Sequence, residues 1–145
     1  MIFPSRRILA ASAALAIVLS ASAPALAEMI MYKAALTGAS EVPPNDSKGT
    51  GTVEASFDTD AKTLTWTISY EGLSGDAAAA HFHGPAAAGA NAGPVVPIDG
   101  SLASPIKGSA TLTDAQATDL AGGMWYFNIH TAQFPDGELR GQLAK

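Results

Sequence analysis

The sequence predicts an all-β domain, a Greek-key β-sandwich or small barrel of about eight short strands with one short connecting helix. Three observations carry this. Apolar and polar residues alternate with the two-residue period of a half-buried strand. The pattern is clearest in residues 62–70, where Leu64, Trp66, Ile68 and Tyr70 share one face and Thr63, Thr65, Thr67 and Ser69 the other. Clusters of Gly, Pro, Asn and Asp recur between such segments and read as turns. One stretch alone carries convincing helix start and stop signals, and it runs for only about eight residues.

The elements follow in order. Residues 29–36 form the first strand. The loop after it contains Pro43 and Pro44, which lack an amide donor, and then the turn formers Asn45 and Asp46. Residues 49–57 alternate Val53, Ala55 and Phe57 against Thr52, Glu54 and Ser56, and the turn at 58–61 joins them to 62–70 as a hairpin. A second loop covers 71–76. Residues 77–83 form the next strand. Its alanines are poor strand formers, so burial between larger side chains has to decide its state. Residues 84–94 form a loop rich in Gly, Pro and Ala. Short strands at 95–98 and 106–112 flank a turn at Asp99-Gly100. Thr113 opens the helix, with Gln116 at capping-box spacing and Asp114 in the first turn, and Gly122-Gly123 closes it. Residues 124–130 and 138–143 are the last strands, joined by the turn Phe134-Pro135-Asp136-Gly137.

The N-terminus reads as a secretory leader. Arg6 and Arg7 make a positive n-region, residues 8–19 an apolar run, and Ala25-Leu26-Ala27 an A-x-A cleavage site. The arginines fit an ordinary n-region better than a twin-arginine signal. Residues 1–27 are expected to be removed, leaving one domain at 28–145 with no membrane span and a periplasmic or secreted location. The apolar run is shorter than the ~20 residues of a span. The chain has no cysteine, so it has neither disulfides nor thiolate ligands. Thirteen Asp and Glu oppose eight Lys and Arg, a net charge of −5. That excess, which grows once Arg6 and Arg7 are removed, argues against nucleic acid and against an anionic membrane surface.

The chemistry concentrates in two places. His81 and His83 flank Phe82, and His130 lies in Asn128-Ile129-His130-Thr131; these are the protein's three histidines. On a strand, residues two apart share a face, so His81 and His83 point together and Phe82 points inward. In the later strand Trp125, Phe127 and Ile129 take the inner face, and Tyr126, Asn128 and His130 the outer. In the last strand Leu139 and Leu143 go inward and Glu138, Arg140 and Gln142 outward. If the 77–83 strand lies near the final hairpin, His81, His83, His130, Glu138 and Arg140 converge on one solvent-facing surface. Neutral imidazoles in such an array suit copper or zinc. Arg140 opposes a bound cation unless Glu138 or a loop carboxylate such as Glu41 pairs with it.

Several blocks also resemble a known family. Leu36-Thr37-Gly38, Glu41-Val42-Pro43-Pro44, Gly72-Leu73-Ser74-Gly75, Ala80-His81-Phe82-His83-Gly84, Gly93-Pro94-Val95-Val96, Asn128-Ile129-His130-Thr131 and Gly137-Glu138-Leu139-Arg140-Gly141-Gln142-Leu143 are similar to the chordin-type, or CHRD, domain. The resemblance covers nearly all of 28–145, in the family's order. Phe82 stands where the family commonly has Ile, Leu139 departs from a Gly-Gly-Glu-Ile-Arg-Gly close, and Asp136 replaces its first Gly. The resemblance implies an all-β exported module of a kind found in extracellular chordin, a binder of bone morphogenetic proteins, and in many exported bacterial proteins. It implies no catalytic activity.

Two functions follow from these readings. One is a copper or zinc ion held by His81, His83 and His130. The alternative is an extracellular protein-interaction module without metal, recognising its partner through the loops at 41–44 and 86–94. A hydrolase is disfavoured because no serine sits in a Gly-x-Ser-x-Gly elbow. A dismutase would need redox copper with a fuller ligand set. The sequence leaves the oligomeric state open.

Overall fold

The computed structural model describes residues 28–145, so the leader expected at 1–27 lies outside the described residues. Strands form where the alternation predicts them: β1 (Met29–Thr37), β2 (Thr50–Asp58), β3 (Thr63–Glu71), β4 (Ala77–His83), β5 (Pro94–Pro97), β6 (Ile106–Thr111), β7 (Tyr126–Thr131) and β8 (Leu139–Gln142). The helix α1 (Asp114–Ala121) lies between β6 and β7. Its capping box is intact: Gln116 N donates to Thr113 Oγ1 at 3.2 Å, and Thr113 N donates to Gln116 Oε1 at 2.9 Å.

The strands form one antiparallel sheet in the order β5-β4-β7-β8-β1-β2-β3-β6. β1, β2 and β3 are sequential hairpins. The chain then crosses the sheet from β3 to β4, and again from β6 to β7, which is the Greek-key element. The edge strands β5 and β6 line a single groove together with Trp66. The sheet is therefore curled into a nearly closed barrel, the small-barrel form of the predicted class.

Side chains from the concave face fill the interior. Leu36, Val53, Leu64, Ile68, Phe82, Phe127, Ile129 and Leu139 are fully buried. Phe82 is central: its ring packs edge-on to Trp66 at 5.2 Å and to Phe127 at 4.9 Å between centroids. This inward anchor, with the buried Ala80 behind it, holds the alanine-rich β4 in the sheet despite its weak propensity. It also fixes His81 and His83 on the outer face.

That outer face differs from the expectation in one respect. Glu138, Arg140 and Gln142 do not face solvent: Glu138 and Arg140 are 0% and 2% exposed, and Gln142 is half-buried. The loop at 84–94 folds back over β4, β7 and β8, and side chains of the face tie it down. Arg140 donates from Nη1 to Asn91 Oδ1 at 2.7 Å and from Nη2 to Ala90 O at 2.6 Å. Gln142 Nε2 donates to Ala86 O at 2.9 Å, and Tyr126 Oη to Ala92 O at 3.0 Å. Asn91 Nδ2 in turn donates to Val42 O at 2.9 Å, joining this loop to the one before β2. Buried polar groups need partners, and here the loop backbone and the Asn91 side chain supply them.

Candidate metal centre

β4 and β7 are neighbours, and their register sets His81 opposite Asn128, His83 opposite Tyr126 and Ala79 opposite His130. β8 adds Arg140 opposite Asn128 and Gln142 opposite Tyr126. His81 and His83 from one strand thus meet His130 from the next on one face. One ligand nitrogen from each ring can be chosen so that all three lie within 4.8 Å of one another. Two ligands of a tetrahedral zinc ion, each at about 2.0–2.1 Å, stand about 3.3–3.4 Å apart. Side-chain rotations that close the widest pair by roughly 1.4 Å would let one ion be shared.

The hydrogen bonds decide which nitrogens are free. His83 Nδ1 lies 2.9 Å from Ala92 O, and His130 Nδ1 lies 2.9 Å from Pro135 O. A carbonyl oxygen only accepts, so both rings carry their proton on Nδ1. In the neutral state their Nε2 lone pairs are bare, and both face the same space. A backbone carbonyl fixing the tautomer from the far side of the ring is the usual support of a metal-binding imidazole. His81 is half-buried, and its Nδ1 lies 3.2 Å from His130 Nε2, so Nδ1–H can donate there while no ion is held.

The electrostatics favour the neutral ring at His81 and His83. Burial pushes His81 below the ordinary imidazole value, and His130 and His83 beside it push the same way. Burial also lowers His83; the Ala92 carbonyl and Asn128 oppose this, and His130 and Arg140 add to it.

Around the histidines stand Asn128 and Tyr126, which the sequence pattern placed on this face but did not single out, and Arg140, which it did. Asn128, 3% exposed, sets Oδ1 at 2.9 Å from His83 Nε2 and 3.0 Å from His130 Nε2. Tyr126 stacks flat on His83, with 4.7 Å between ring centroids and 4° between planes. The Arg140 guanidinium lies 3.5 Å over the Tyr126 ring. Arg140 is thus held one ring away from His83, with its charge answered by Asn91 and Ala90. Glu41 acts on it electrostatically, and burial carries the Glu41 carboxyl up to about 7 even though Arg140, Asn128 and the Val42 backbone pull it down.

Glu138 does not join the histidines, and it forms no ion pair with Arg140. Its carboxylate is held by Ser47 Oγ at 2.7 Å, Ser74 N at 2.8 Å, Ser74 Oγ at 2.7 Å and Thr131 Oγ1 at 2.6 Å. Burial alone would raise its pKa, but these donors hold it below the ordinary carboxylate value. The expected five-residue surface is therefore two sites: three histidines with Asn128, Tyr126 and Arg140, of which His83, Tyr126 and Arg140 are tied to the 84–94 loop, and a separate hydroxyl cage around Glu138.

A family model described as CHRD domain matches residues 32–143. No curated protein and no solved structure matches the chain.

Proposed function

The chain belongs to the CHRD-domain family, and from that premise we propose that it is an exported, non-catalytic module that holds copper(II) or zinc between His81, His83 and His130. One observation carries this reading. The two Nδ1–H bonds to the Ala92 and Pro135 carbonyls turn the bare Nε2 atoms of His83 and His130 toward one point, with His81 beside it. Two imidazoles tethered from behind lose little freedom on binding an ion, so the site is pre-organised. His81, half-buried and without a backbone tether among the described residues, supplies the remaining closure. Nitrogen donors without sulfur suit zinc and copper(II), and the divalent order places copper(II) above zinc.

The 41–44 and 84–94 loops would serve the alternative, a protein-interaction module. They border a cleft of about 470 Å³ lined in part by Val42, Pro44, Ala88 and Gly89. Its apolar walls are small side chains, and the larger Glu41, Arg140 and Gln142 that also line it are already engaged within the fold, so the metal reading is preferred.

The test is calorimetric titration of metal-free residues 28–145 with copper(II) and zinc, repeated for His81→Ala, His83→Ala and His130→Ala. Saturable binding with one ion per chain, weakened in each variant, is the expected result. Binding should fade in acid, because protonated imidazole is no ligand. Wild type without saturable binding, or variants that bind as wild type does, would overturn the reading in favour of the interaction module.

A further inference from the structure

The three-histidine site has a feature that its histidines do not explain. Asn128 Oδ1 sits between two imidazole nitrogens, at 2.9 Å from His83 Nε2 and 3.0 Å from His130 Nε2. Both rings have already committed their proton to a backbone carbonyl through Nδ1. With neutral rings, Oδ1 and the two Nε2 lone pairs therefore face one another, and the one proton within reach is that of His81 Nδ1, which can go to His130 Nε2 and leaves His83 Nε2 and Oδ1 with none between them. Asn128 is 3% exposed, and a buried oxygen set against imidazole acceptors calls for a reason.

An amide can relieve such a clash by turning its NH₂ toward the acceptors. The far side of Asn128 forbids that here. The Glu41 carboxylate and Asn128 Nδ2 both pack against the Cα of Gly137, where any Cβ would collide with Glu41 Oε1 and lie 2.9 Å from Asn128 Nδ2. Gly137 also has φ +133, which L side chains rarely adopt. Glu41 is 5% exposed, and its Oε1 has no partner at full hydrogen-bond geometry. The side chain on this side that offers it protons is the Asn128 amide, beside the Val42 backbone N–H. Turning the amide around would set Oδ1 against the ionised Glu41 carboxyl, two acceptors face to face with no proton between them. The NH₂ therefore belongs to Glu41, and Oδ1 belongs to the histidine side.

We propose that Asn128 Oδ1 is the fourth ligand of the ion, and that Glu41 is the positioning residue that keeps this oxygen turned toward it. A cation placed among His83 Nε2, His130 Nε2, Oδ1 and a His81 nitrogen converts a set of mutually repelling lone pairs into a coordination sphere of three nitrogens and one oxygen. Such a set is complete for tetrahedral zinc, and nitrogen with carbonyl oxygen equally suits copper(II). All four ligands are neutral, so the ion keeps its double charge. Glu41, reached through the polarised amide, is the nearest carboxylate placed to answer it. This inference rests on the three-histidine reading, and the experiment separates the two.

Metal-free wild type, His83→Ala, Asn128→Leu, Asn128→Asp and Glu41→Gln are titrated with zinc by calorimetry and loaded with cobalt(II), whose visible absorption bands report the ligand set. Near-ultraviolet circular dichroism of each metal-free form checks the fold. Asn128→Leu should weaken zinc binding by about ten- to a hundredfold, the usual cost of removing a supporting group at a metal site, and should move the cobalt bands. Asn128→Asp should also move the bands, since an anionic oxygen replaces a neutral one. Glu41→Gln should weaken zinc by a smaller factor and leave the bands nearly in place, because its amide can still hold Asn128 through its own oxygen. If Asn128→Leu folds, binds zinc as wild type does and leaves the cobalt spectrum unchanged while His83→Ala abolishes binding, the fourth-ligand assignment falls and the three-histidine site stands. If Asn128→Leu does not fold, unmoved cobalt bands in Asn128→Asp overturn the assignment instead. If wild type binds neither ion, or His83→Ala binds as wild type does, the underlying reading fails with it.

Discussion

Removing the Glu138 carboxylate should destabilise the fold strongly, and the size of the loss can be worked from the cage around it. Oε1 accepts from Ser47 Oγ and Ser74 N, and Oε2 from Ser74 Oγ and Thr131 Oγ1, at 2.6–2.8 Å. These donors come from the loop before β2, the loop before β4 and the end of β7, so one side chain ties three segments together. Asn45 Nδ2 adds bonds to the Gly137 and Glu138 carbonyls at 3.0 and 3.1 Å. A hydrogen bond to a charged group contributes about 1.5–3 kcal/mol, but desolvating the carboxylate returns several kcal/mol of that sum. Glu138→Ala leaves the Ser74 amide unpaired and opens a cavity, and a loss of about 3–5 kcal/mol is expected. Glu138→Gln keeps the shape. Its oxygen can take the Oε1 place, and its NH₂ can donate to the Ser74 and Thr131 hydroxyls after they reorient, so the expected loss is about 1–2 kcal/mol. Urea unfolding of the metal-free protein followed by tryptophan fluorescence measures both, with an unchanged slope confirming that stability alone has moved. The pH dependence adds a second check. Because the folded-state pKa is lowered, the carboxylate's contribution is fully present above the ordinary ~4.5 and is lost as pH falls through the folded value. The gap between wild type and Glu138→Gln should therefore close in acid. A cost for Glu138→Ala below about 1 kcal/mol, or a gap that does not change with pH, would refute the reasoning.

Two further outcomes follow from the packing of the core and the burial of Glu41. Phe82→Ala removes a ring packed against Trp66, Phe127 and, at 6.1 Å, Trp125. Urea unfolding should show a loss of about 3–5 kcal/mol, whereas a loss below about 1 kcal/mol would mean that β4 is faced the wrong way. Glu41→Gln tests the opposite sign of linkage from Glu138. Its carboxyl is raised to about 7 by burial, against the pull of Arg140 and Asn128, so its contribution is present below ~4.5 and lost as pH rises through about 7, by at most about 3 kcal/mol. His81 and His83 are shifted down and act in the other direction over an overlapping range. The quantity to measure is therefore the stability of Glu41→Gln minus that of wild type. It should grow in favour of the variant between about pH 5 and pH 8, and a flat difference would count against a buried, strained carboxyl.

The alternation of single residues along each segment determined most of the fold. Leu64, Trp66 and Ile68 face inward, Phe82 opposes His81 and His83, and Phe127 and Ile129 oppose Asn128 and His130, because the strand's two-residue period is a local property of the backbone. Thr113 and Gln116 announced the one helix for an equally local reason, a side chain reaching the amide three residues on. The family blocks extended this to the order of the elements. What the sequence could not show was which groups on the outer face would be covered. Arg140 and Gln142 alternate as solvent-facing residues, yet the 84–94 loop, low in side-chain signal, lies over them. The bonds that hold it there join residues 49 and 50 apart from Arg140 and 56 apart from Gln142. Glu138 likewise alternates outward but is claimed by Ser74 and Ser47, 64 and 91 residues away. Asn128 reads locally as one more polar residue beside His130. It becomes the hub of the site only because the β4–β7 register and Gly137 bring His83 and Glu41 to its two ends. Pairing register and loop placement are set by contacts between distant segments, each worth little until the whole sheet has closed. A residue's partner across the sheet is therefore decided by the tertiary structure, even where its facing is decided by its neighbours in the chain.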